Sequence, residues 1–265
     1  MIEFLTIHES VLRLGVFVGV LGLMTLLEAV FPRRVRTQKR VGRWSTNLAL
    51  VIIDTIALRV VLPIVAMGMA ALAAQRGWGL FNLTDWPIWL EVLLSVVLLD
   101  MLIYWQHVAS HHFPILWRLH KVHHADRDID VTTGVRFHPI EIILSMVYKC
   151  FCILLLGPAI VAVLLFEILL NACAMFNHAN VKLPNWLDRQ MRFVIVTPDM
   201  HRVHHSTVNE ETNSNYGFSL SLWDRVFGSY IPQPRAGHQE MVIGLEEYQD
   251  KSPNNIIWTL MTPFR

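Results

Sequence analysis

The sequence contains little charge and few cysteines. Of its 265 residues, 16% are charged, 54% are hydrophobic, and the formal net charge at pH 7 is +1. So small a net charge gives no reason to expect a nucleic-acid or acidic partner. Cys150, Cys152 and Cys173 all lie inside apolar runs. An odd number of cysteines so placed argues against a disulfide framework and fits a reducing compartment.

Several cofactor and catalytic motifs are also missing. The sequence has no GxGxxG fingerprint for a flavin or nicotinamide and no cysteine set for an iron–sulfur cluster. It has neither the HExxH motif of zinc proteases nor the Glu-x-x-His pairs of soluble di-iron bundles. No basic segment precedes the first apolar run, so we expect no cleaved signal peptide.

Long apolar runs dominate what is present. They cover residues 11–30, 48–74, 88–106, 140–156 and 159–177. Since about 20 apolar residues span a bilayer as a helix, we predict an all-α, multi-pass membrane bundle. It has three spans, a helical hairpin that enters from the cytoplasm and turns at Gly157-Pro158, and a cytoplasmic histidine-rich helical cap.

The charges inside and between these runs add detail. Segment 31–46 holds six basic residues and no acidic one, which by the positive-inside rule places it in the cytoplasm. The run 48–74 is longer than one span needs, so we expect it to tilt, kink at Pro63 or protrude. Asp54 and Arg59 are costly in lipid and should face the protein interior, most simply as an ion pair or polar contact.

The domain organisation follows from these runs. Residues 1–106 form the N-terminal membrane spans. Residues 107–265 form the histidine-rich catalytic region, which includes the membrane hairpin 140–177 and a cytoplasmic C-terminal tail. We expect the two parts to make one integrated domain.

The histidines carry the strongest functional signal. Segment 107–124 holds six of the 13 histidines, and 201–205 holds three more. They follow the patterns His107-x3-His111, His120-x2-His123-His124 and His201-x2-His204-His205. A helix turns about 100° per residue, so each pattern gathers its rings on one face. Counting crossings places all of them, with His138 and His178, on the cytoplasmic side.

Core packing does not require adjacent histidine pairs repeated at one spacing, whereas a metal site requires several histidines on one face. One ion takes about four to six ligands, so this many histidines suit two ions. Nitrogen ligands alone suit Fe, Cu or Zn. Carboxylates should orient the rings, and the candidates are Asp100, Glu141 and Asp199, each of which has a surface or helix-cap role as its alternative.

The order of these motifs resembles the fatty acid hydroxylase/sterol desaturase superfamily of membrane di-iron oxygenases, and within it the bacterial alkylglycerol-monooxygenase-like branch. The similar stretch runs from about residue 95 to 230. Besides the histidine patterns it contains Asp100-x3-Tyr104, Trp117-Arg118, Arg136-Phe137-His138-Pro139-x-Glu141, Asn177-His178-x-Asn180, Thr197-Pro198, Asn215-Tyr216-Gly217 and Trp223-Asp224-x2-Phe227-Gly228.

The resemblance implies a ligand set and a cofactor. The implied metal ligands are His107, His111, His120, His123, His124, His138, His178, His201, His204 and His205. The implied cofactor is a pair of Fe ions, for which Zn can substitute, with O2 as co-substrate. Asn180 joins the three carboxylates as a candidate beside the ligands. Val108 departs from the family, which often has Arg there, and His112 points about 100° away from His111, outside the expected site.

The expected activity is O2-dependent hydroxylation or desaturation of an unactivated C–H bond in a membrane lipid such as a sterol, fatty acyl or ether lipid. Electrons must come from a separate donor, such as a ferredoxin, cytochrome or reductase. Basic residues near the site are candidates to dock it: Arg118, Lys121, Arg127, Arg136, Arg189, Arg192 and Arg202. The alternatives are a membrane metal-binding or transport protein, with ligands at several depths, and a zinc-dependent hydrolase, with fewer ligands and a dedicated acidic base.

Overall fold

A computed structural model describes residues 7–249 and 253–265, and within them the chain is helical, with three isolated β-bridges and no β-strand. The longer helices are α1 Glu9–Val30, α2 Arg40–Val61, α3 Ala66–Arg76, α4 Ile88–His112, α5 Pro114–His124, α6 Pro139–Leu156 and α7 Ile160–His178. Short helices follow: α8 Asn185–Met191, α9 Pro198–His204, α10 Asn209–Thr212, α11 Leu222–Val226, α12 Gly237–Glu240 and α13 Ile256–Met261.

Five helical segments are long and apolar enough to cross a membrane. They are Glu9–Val30, Arg40–Asn82, Ile88–His112, Pro139–Leu156 and Ile160–His178. The prediction of an all-helical membrane protein built on five apolar runs is therefore confirmed. Large apolar side chains on the outside of these helices suit contact with lipid, as at Leu14, Val18 and Ile52.

The second apolar run is broken at Pro63. Helix α2 ends at Val61 and α3 begins at Ala66. Proline lacks the amide hydrogen that a helix interior requires and disfavours helical geometry in the residue before it, so the run divides there. Of the three outcomes considered for this run, the break at the proline is the one found.

Only one of the two charged residues on α2 faces the interior as expected: Asp54 is buried, whereas Arg59 is exposed. The two side chains form no ion pair, and Asp54 Oδ1 is buried with no hydrogen-bond partner among the described residues. Both residues lie on α2, and five helical positions rotate the second side chain about 140° from the first. The two charges therefore face different directions.

The hairpin turn closes the end of the bundle away from the histidines. Gly157 lies between α6 and α7 with φ +62°, a left-handed conformation that glycine adopts without strain. The connection before α4 packs directly on it: a Cβ at Gly79 would lie 2.2 Å from Gly157 N. Only glycine fits this contact. This glycine contact lies at the opposite end of α6 from His138, about 27 Å away along the helix.

At the histidine end, a buried ion-pair network attaches α2 to the chain after α5. Arg43 is fully buried, and its Nε donates to Asp126 Oδ1 at 2.7 Å. A second pair joins Arg43 to Asp130. Burial alone would raise the pKa of Asp126, but the Arg43 guanidinium outweighs it and lowers that pKa to about 2.

Candidate metal centre

The histidine patterns lie on the ends of four helices that meet at one end of the bundle. His107 and His111 occupy the last turns of α4, His120 to His124 end α5, and His178 ends α7. The third pattern lies on α9 and just after it. Thr197 caps that helix by accepting a hydrogen bond from Met200 N, with a proline at the first helical position, so the chain enters the helix one turn before His201.

Nine of the ten predicted ligands are brought together, in two adjoining groups. The first group is His107, His111, His120, His124 and His204. The second group is His123, His178, His201 and His205. Within each group, one nitrogen of every ring lies within 4.8 Å of those of the others. The groups touch, since the ring centroids of His124 and His205 are 4.5 Å apart.

Hydrogen bonds from Nδ1 orient five of these rings. The acceptors are Tyr216 O for His107 at 2.7 Å, Glu141 Oε1 for His120 at 2.6 Å, Arg136 O for His123 at 3.1 Å, Ala174 O for His178 at 2.7 Å and Ser214 O for His204 at 2.7 Å. A carbonyl or carboxylate oxygen can only accept, so each Nδ1 carries the proton. Each Nε2 of a neutral ring is then left with a lone pair, as a metal ligand requires.

These lone pairs face one another at short range. His178 Nε2 lies 3.0 Å from His123 Nε2, and in the first group His107 Nε2 lies 3.1 Å from His120 Nε2. Two acceptors at that distance repel unless a cation lies between them. His124 adds two buried ring nitrogens with no partner among the described residues. The donor set therefore fits two transition-metal ions better than a network of hydrogen bonds.

Burial keeps the rings neutral. Burial first, and then the neighbouring rings of His120 and His178, lower the pKa of His204 to about 3. The pKa values of His123, His124, His201 and His205 fall well below the ordinary value for the same first cause. Neutral imidazole is the form that coordinates a metal, so these ligands need lose no proton at neutral pH.

Of the four residues expected beside the ligands, Glu141 contacts one. Its Oε1 accepts from His120, and its Oε2 is buried with no partner among the residues described. Asp199 instead pairs with Arg33 and Arg202, and Asn180 Oδ1 accepts from Arg34 N. Neither side chain contacts a ligand ring in the described structure.

Asp100 contacts no ligand ring among the described residues but holds the segment that contacts one. Its Oδ2 accepts from Leu220 N at 3.1 Å and from Trp223 Nε1 at 2.9 Å. Asp224 Oδ2 accepts from Gly217 N at 3.0 Å in the same segment. These bonds hold the chain that presents the Tyr216 carbonyl to His107. Asp100 therefore positions an acceptor for a ligand ring.

His138 lies outside both groups. Its Nδ1 accepts from Ile140 N at 3.2 Å, which caps α6, and its Nε2 is 3.2 Å from Leu260 O. Both ring nitrogens therefore already have partners. His112 is exposed and also lies outside the groups, as its helical angle indicates.

Several of the basic residues considered for docking are not accessible. Arg136 and Arg202 are completely buried. Arg136 donates to Val122 O and to Asn47 Oδ1, so it holds the chain around the site together. Arg118 and Arg189 remain exposed.

The main acceptors of the site were missed by sequence reasoning. Four of the five oxygens that orient the rings are main-chain carbonyls, at residues 136, 174, 214 and 216. Every residue has a carbonyl, so its use as an acceptor leaves no signature in residue type. The nearest available signal was the Asn215-Tyr216-Gly217 motif. Asn215 adopts φ +48°, and its side chain bonds Met200 O and Ile231 O.

Comparisons with known proteins match the part of the chain that contains the histidine groups. The sequence model of a family described as "Fatty acid hydroxylase" matches residues 92–229, which contain all nine grouped histidines. The ornithine lipid hydroxylase OlsE of Rhizobium tropici is 26% identical over 233 residues, covering 86% of this chain and 70% of the relative. No solved structure matches the chain.

Two further relatives match over a shorter stretch. Alkylglycerol monooxygenase of Xenopus tropicalis is 32% identical over 153 residues, covering 57% of this chain and 32% of the relative. Lathosterol oxidase of Mus musculus is 29% identical over 157 residues, covering 56% of this chain and 49% of the relative. This chain therefore spans half of these two proteins or less.

Proposed function

This chain belongs to the fatty acid hydroxylase family, and from that premise we propose that it hydroxylates or desaturates an unactivated C–H bond of a membrane lipid at two iron ions, with O2 as co-substrate. Its relatives are named as a hydroxylase, a monooxygenase and an oxidase of different lipids, which supports an oxidoreductase that acts on lipid C–H bonds. The observation that carries the di-iron proposal is that the histidines form two adjoining groups, each with its ring nitrogens close together.

Nine histidines would hold the ions, five in the first group and four in the second. His138 is left out of the proposed set because both its ring nitrogens have other partners. When bound, two ferrous ions would supply the reduction of O2 and the power to remove hydrogen from an unactivated carbon. The same nitrogen donors also accept Zn, so zinc bound in place of iron would not argue against the ligand set.

The chain itself supplies position, orientation and exclusion of water. Glu141 and the carbonyls fix the rings so that each Nε2 keeps its lone pair. A cavity of about 240 Å³ reaches His107 and His120 and has apolar walls that include Ile103 and Leu170. An alkyl chain in this cavity would place a C–H bond beside the proposed metal site.

The proposed membrane arrangement keeps the site on the cytoplasmic face, with three spans and a hairpin formed by α6 and α7. It is supported by the basic segment 31–46, which touches the site region through an ion pair of 2.9 Å between Arg33 and Asp199. Residues 1–106 and 107–265 are proposed to act as one integrated domain. The buried pairs of Arg43 with Asp126 and Asp130, which cross that division, support this.

Electrons are proposed to come from a separate protein such as a ferredoxin, cytochrome or reductase, because the sequence carries no nucleotide fingerprint or iron–sulfur cysteines.

A transport function would place histidines at several membrane depths. The nine grouped histidines instead form one compact cluster, which favours the oxidase.

Metal analysis combined with lipid mass spectrometry tests this function. Purified protein should hold two irons per chain, and with O2 and a reductant it should convert a lipid to a product with one more oxygen atom or two fewer hydrogen atoms. His178→Ala should lower the iron content and abolish turnover, because His178 Nε2 is within 3.2 Å of three other ligand nitrogens.

The matched control is His138→Ala, which removes a histidine of the same region that lies outside both groups. It should keep both irons. Two bound irons with no O2 uptake on any membrane lipid would overturn the oxidase proposal, and full activity in His178→Ala would overturn the ligand set.

A further inference from the structure

The helices that could cross a membrane contain a buried carboxyl group, one oxygen of which has no partner among the described residues. Asp54 lies on α2 and is 7% exposed, and its Oδ1 has no hydrogen-bond partner within the described ranges. Leaving such a group unpaired in an apolar region is energetically costly, even when the group is neutral. Ionisable side chains at this depth are rare and usually face a pathway or a ligand.

Asp54 lines the same cavity that reaches the histidines. The lysine among the lining residues, Lys149, does not neutralise it, because Lys149 Nζ pairs with Glu167 Oε1 at 2.9 Å. Glu167 in turn binds Arg13. The cation that could have satisfied Asp54 is therefore held by another acid.

Two further acceptors on the same cavity are also unsatisfied. Glu141 Oε2 and Gln106 Oε1 are buried with no partner among the residues described, and both residues line the cavity with Asp54. Glu141 already orients His120 through its other oxygen. Three acceptor oxygens thus border one space beside the proposed metal site, so a ligand that fills it must bring hydrogen-bond donors.

The rest of the lining is apolar and helical, and includes Phe17, Val51, Leu58, Ile103 and Leu170. Such walls suit an alkyl chain and would leave a purely polar ligand without contacts. The occupant that matches both parts is an amphiphile with a chain and a hydrogen-bond-donating group.

Resting on the function proposed above, we propose that Asp54 is a specificity residue that binds a hydroxyl or ammonium group of the lipid substrate inside the bundle, next to the carbon that is oxidised. The substrate class is then a lipid whose donor group enters the cavity, as opposed to a plain hydrocarbon or a chain whose polar group stays at the membrane surface. Asp54 positions the substrate and takes no part in the chemistry.

Thermal unfolding with three matched probes tests this. The protein, in phosphatidylcholine nanodiscs, is titrated with dodecan-1-ol, dodecylammonium or dodecane, which share one chain length. A ligand that binds the native state raises the unfolding temperature, so the shift reports binding without turnover. The wild-type protein should bind an alcohol or ammonium probe about 10- to 100-fold more tightly than dodecane, as expected when a buried acceptor without a partner gains a hydrogen bond.

Two substitutions at Asp54 separate the effect of its acceptor oxygens from the effect of its charge. Asp54→Leu removes the acceptor, so the preference for the polar probes over dodecane should vanish. Asp54→Asn keeps an acceptor oxygen without the charge. It should keep a preference for the alcohol and lose one for the ammonium. Each probe is compared between wild-type and variant protein in the same nanodiscs, so its partition into the bilayer cancels.

Ser95→Ala is the control. Ser95 on α4 is completely buried, and its hydroxyl has no partner in the part of the chain that the structure describes. It does not line the cavity, so the probe preferences of Ser95→Ala should match those of wild type. Equal binding of all three probes by wild type, or an unchanged preference in Asp54→Leu, would overturn the inference. Either result could stand beside intact iron content and oxidation of a hydrocarbon chain, so it would leave the proposed function untouched.

Discussion

Replacing Glu141 should weaken metal binding by an amount that depends on what the new side chain can accept. Glu141 Oε1 receives the Nδ1 hydrogen of His120 at 2.6 Å, and the carboxylate side chain is 12% exposed. This bond holds the proton on Nδ1 and directs Nε2 into the first histidine group. Loss of such a partner typically costs 10–100-fold in metal affinity, or about 1.4–2.7 kcal/mol.

The two informative variants are Glu141→Gln and Glu141→Leu. The amide oxygen of Gln can still accept from His120 but carries no charge, so about a tenfold loss is expected. Leu accepts nothing and leaves a buried N–H unpaired, so about a hundredfold loss is expected. The measurement is equilibrium competition for ferrous iron against a chelator of known affinity, with bound iron counted per chain.

Glu91→Gln is the control, since Glu91 accepts from Ala159 N at 2.7 Å at the other end of α4. Its iron affinity should match wild type. If Glu141→Leu retains wild-type iron affinity while folded, the orientation of His120 by a charged acceptor does not contribute to binding. If Gln and Leu weaken binding equally, charge matters and hydrogen-bond acceptance does not.

Three further predictions concern stability. Arg43→Leu should cost about 3–5 kcal/mol of unfolding free energy, because Asp126 keeps a buried charge without its partner; a loss below about 1 kcal/mol in denaturant unfolding would contradict this. Metal-free protein should lose stability as pH falls from 6.5 towards 3. In this range His204 is protonated in the unfolded state but stays neutral in the folded state, where its pKa is about 3. Below about pH 4 the loss should continue, since the Asp126 pKa of about 2 lies under its ordinary 3.8. Thermal unfolding at several pH values checks both, and higher stability at pH 5 than at pH 7 would refute them. Gly79→Ala should lower the unfolding temperature, because its Cβ would lie 2.2 Å from Gly157 N, whereas Ala at Gly15, with nothing within 4 Å, should not.

The membrane helices and their breaks were readable from the sequence. Apolar runs must become helices in lipid, because every backbone polar group needs a partner within the segment. The turn at Gly157-Pro158 was predicted directly, whereas at Pro63 the sequence left a tilt, a kink and a protrusion open, and the structure breaks the helix after Val61.

Contacts between side chains distant in sequence were not readable. Asp54 and Arg59 were both expected to face the protein interior, yet only Asp54 is buried, because five helical positions turn Arg59 about 140° away from it. Arg136 and Arg202 looked like surface charges, yet both are buried where acceptors from other segments surround them. The missing information in each case is which segments lie beside the residue in space.

By itself the sequence predicted that ten histidines, His138 among them, share one end of a membrane bundle, because spacing on a helix and the number of crossings decide which residues can meet. Only the tertiary structure decided how they divide. In each His-x-x-His-His pattern the first and last rings stay together, about 40° apart on the helix, whereas the middle ring joins the other group: His123 leaves His120 and His124, and His204 leaves His201 and His205. All three rings of a pattern lie within about 100° of the helix surface, so their angles alone cannot assign them. The way α5 and α9 pack against each other and against α4 and α7 makes the assignment.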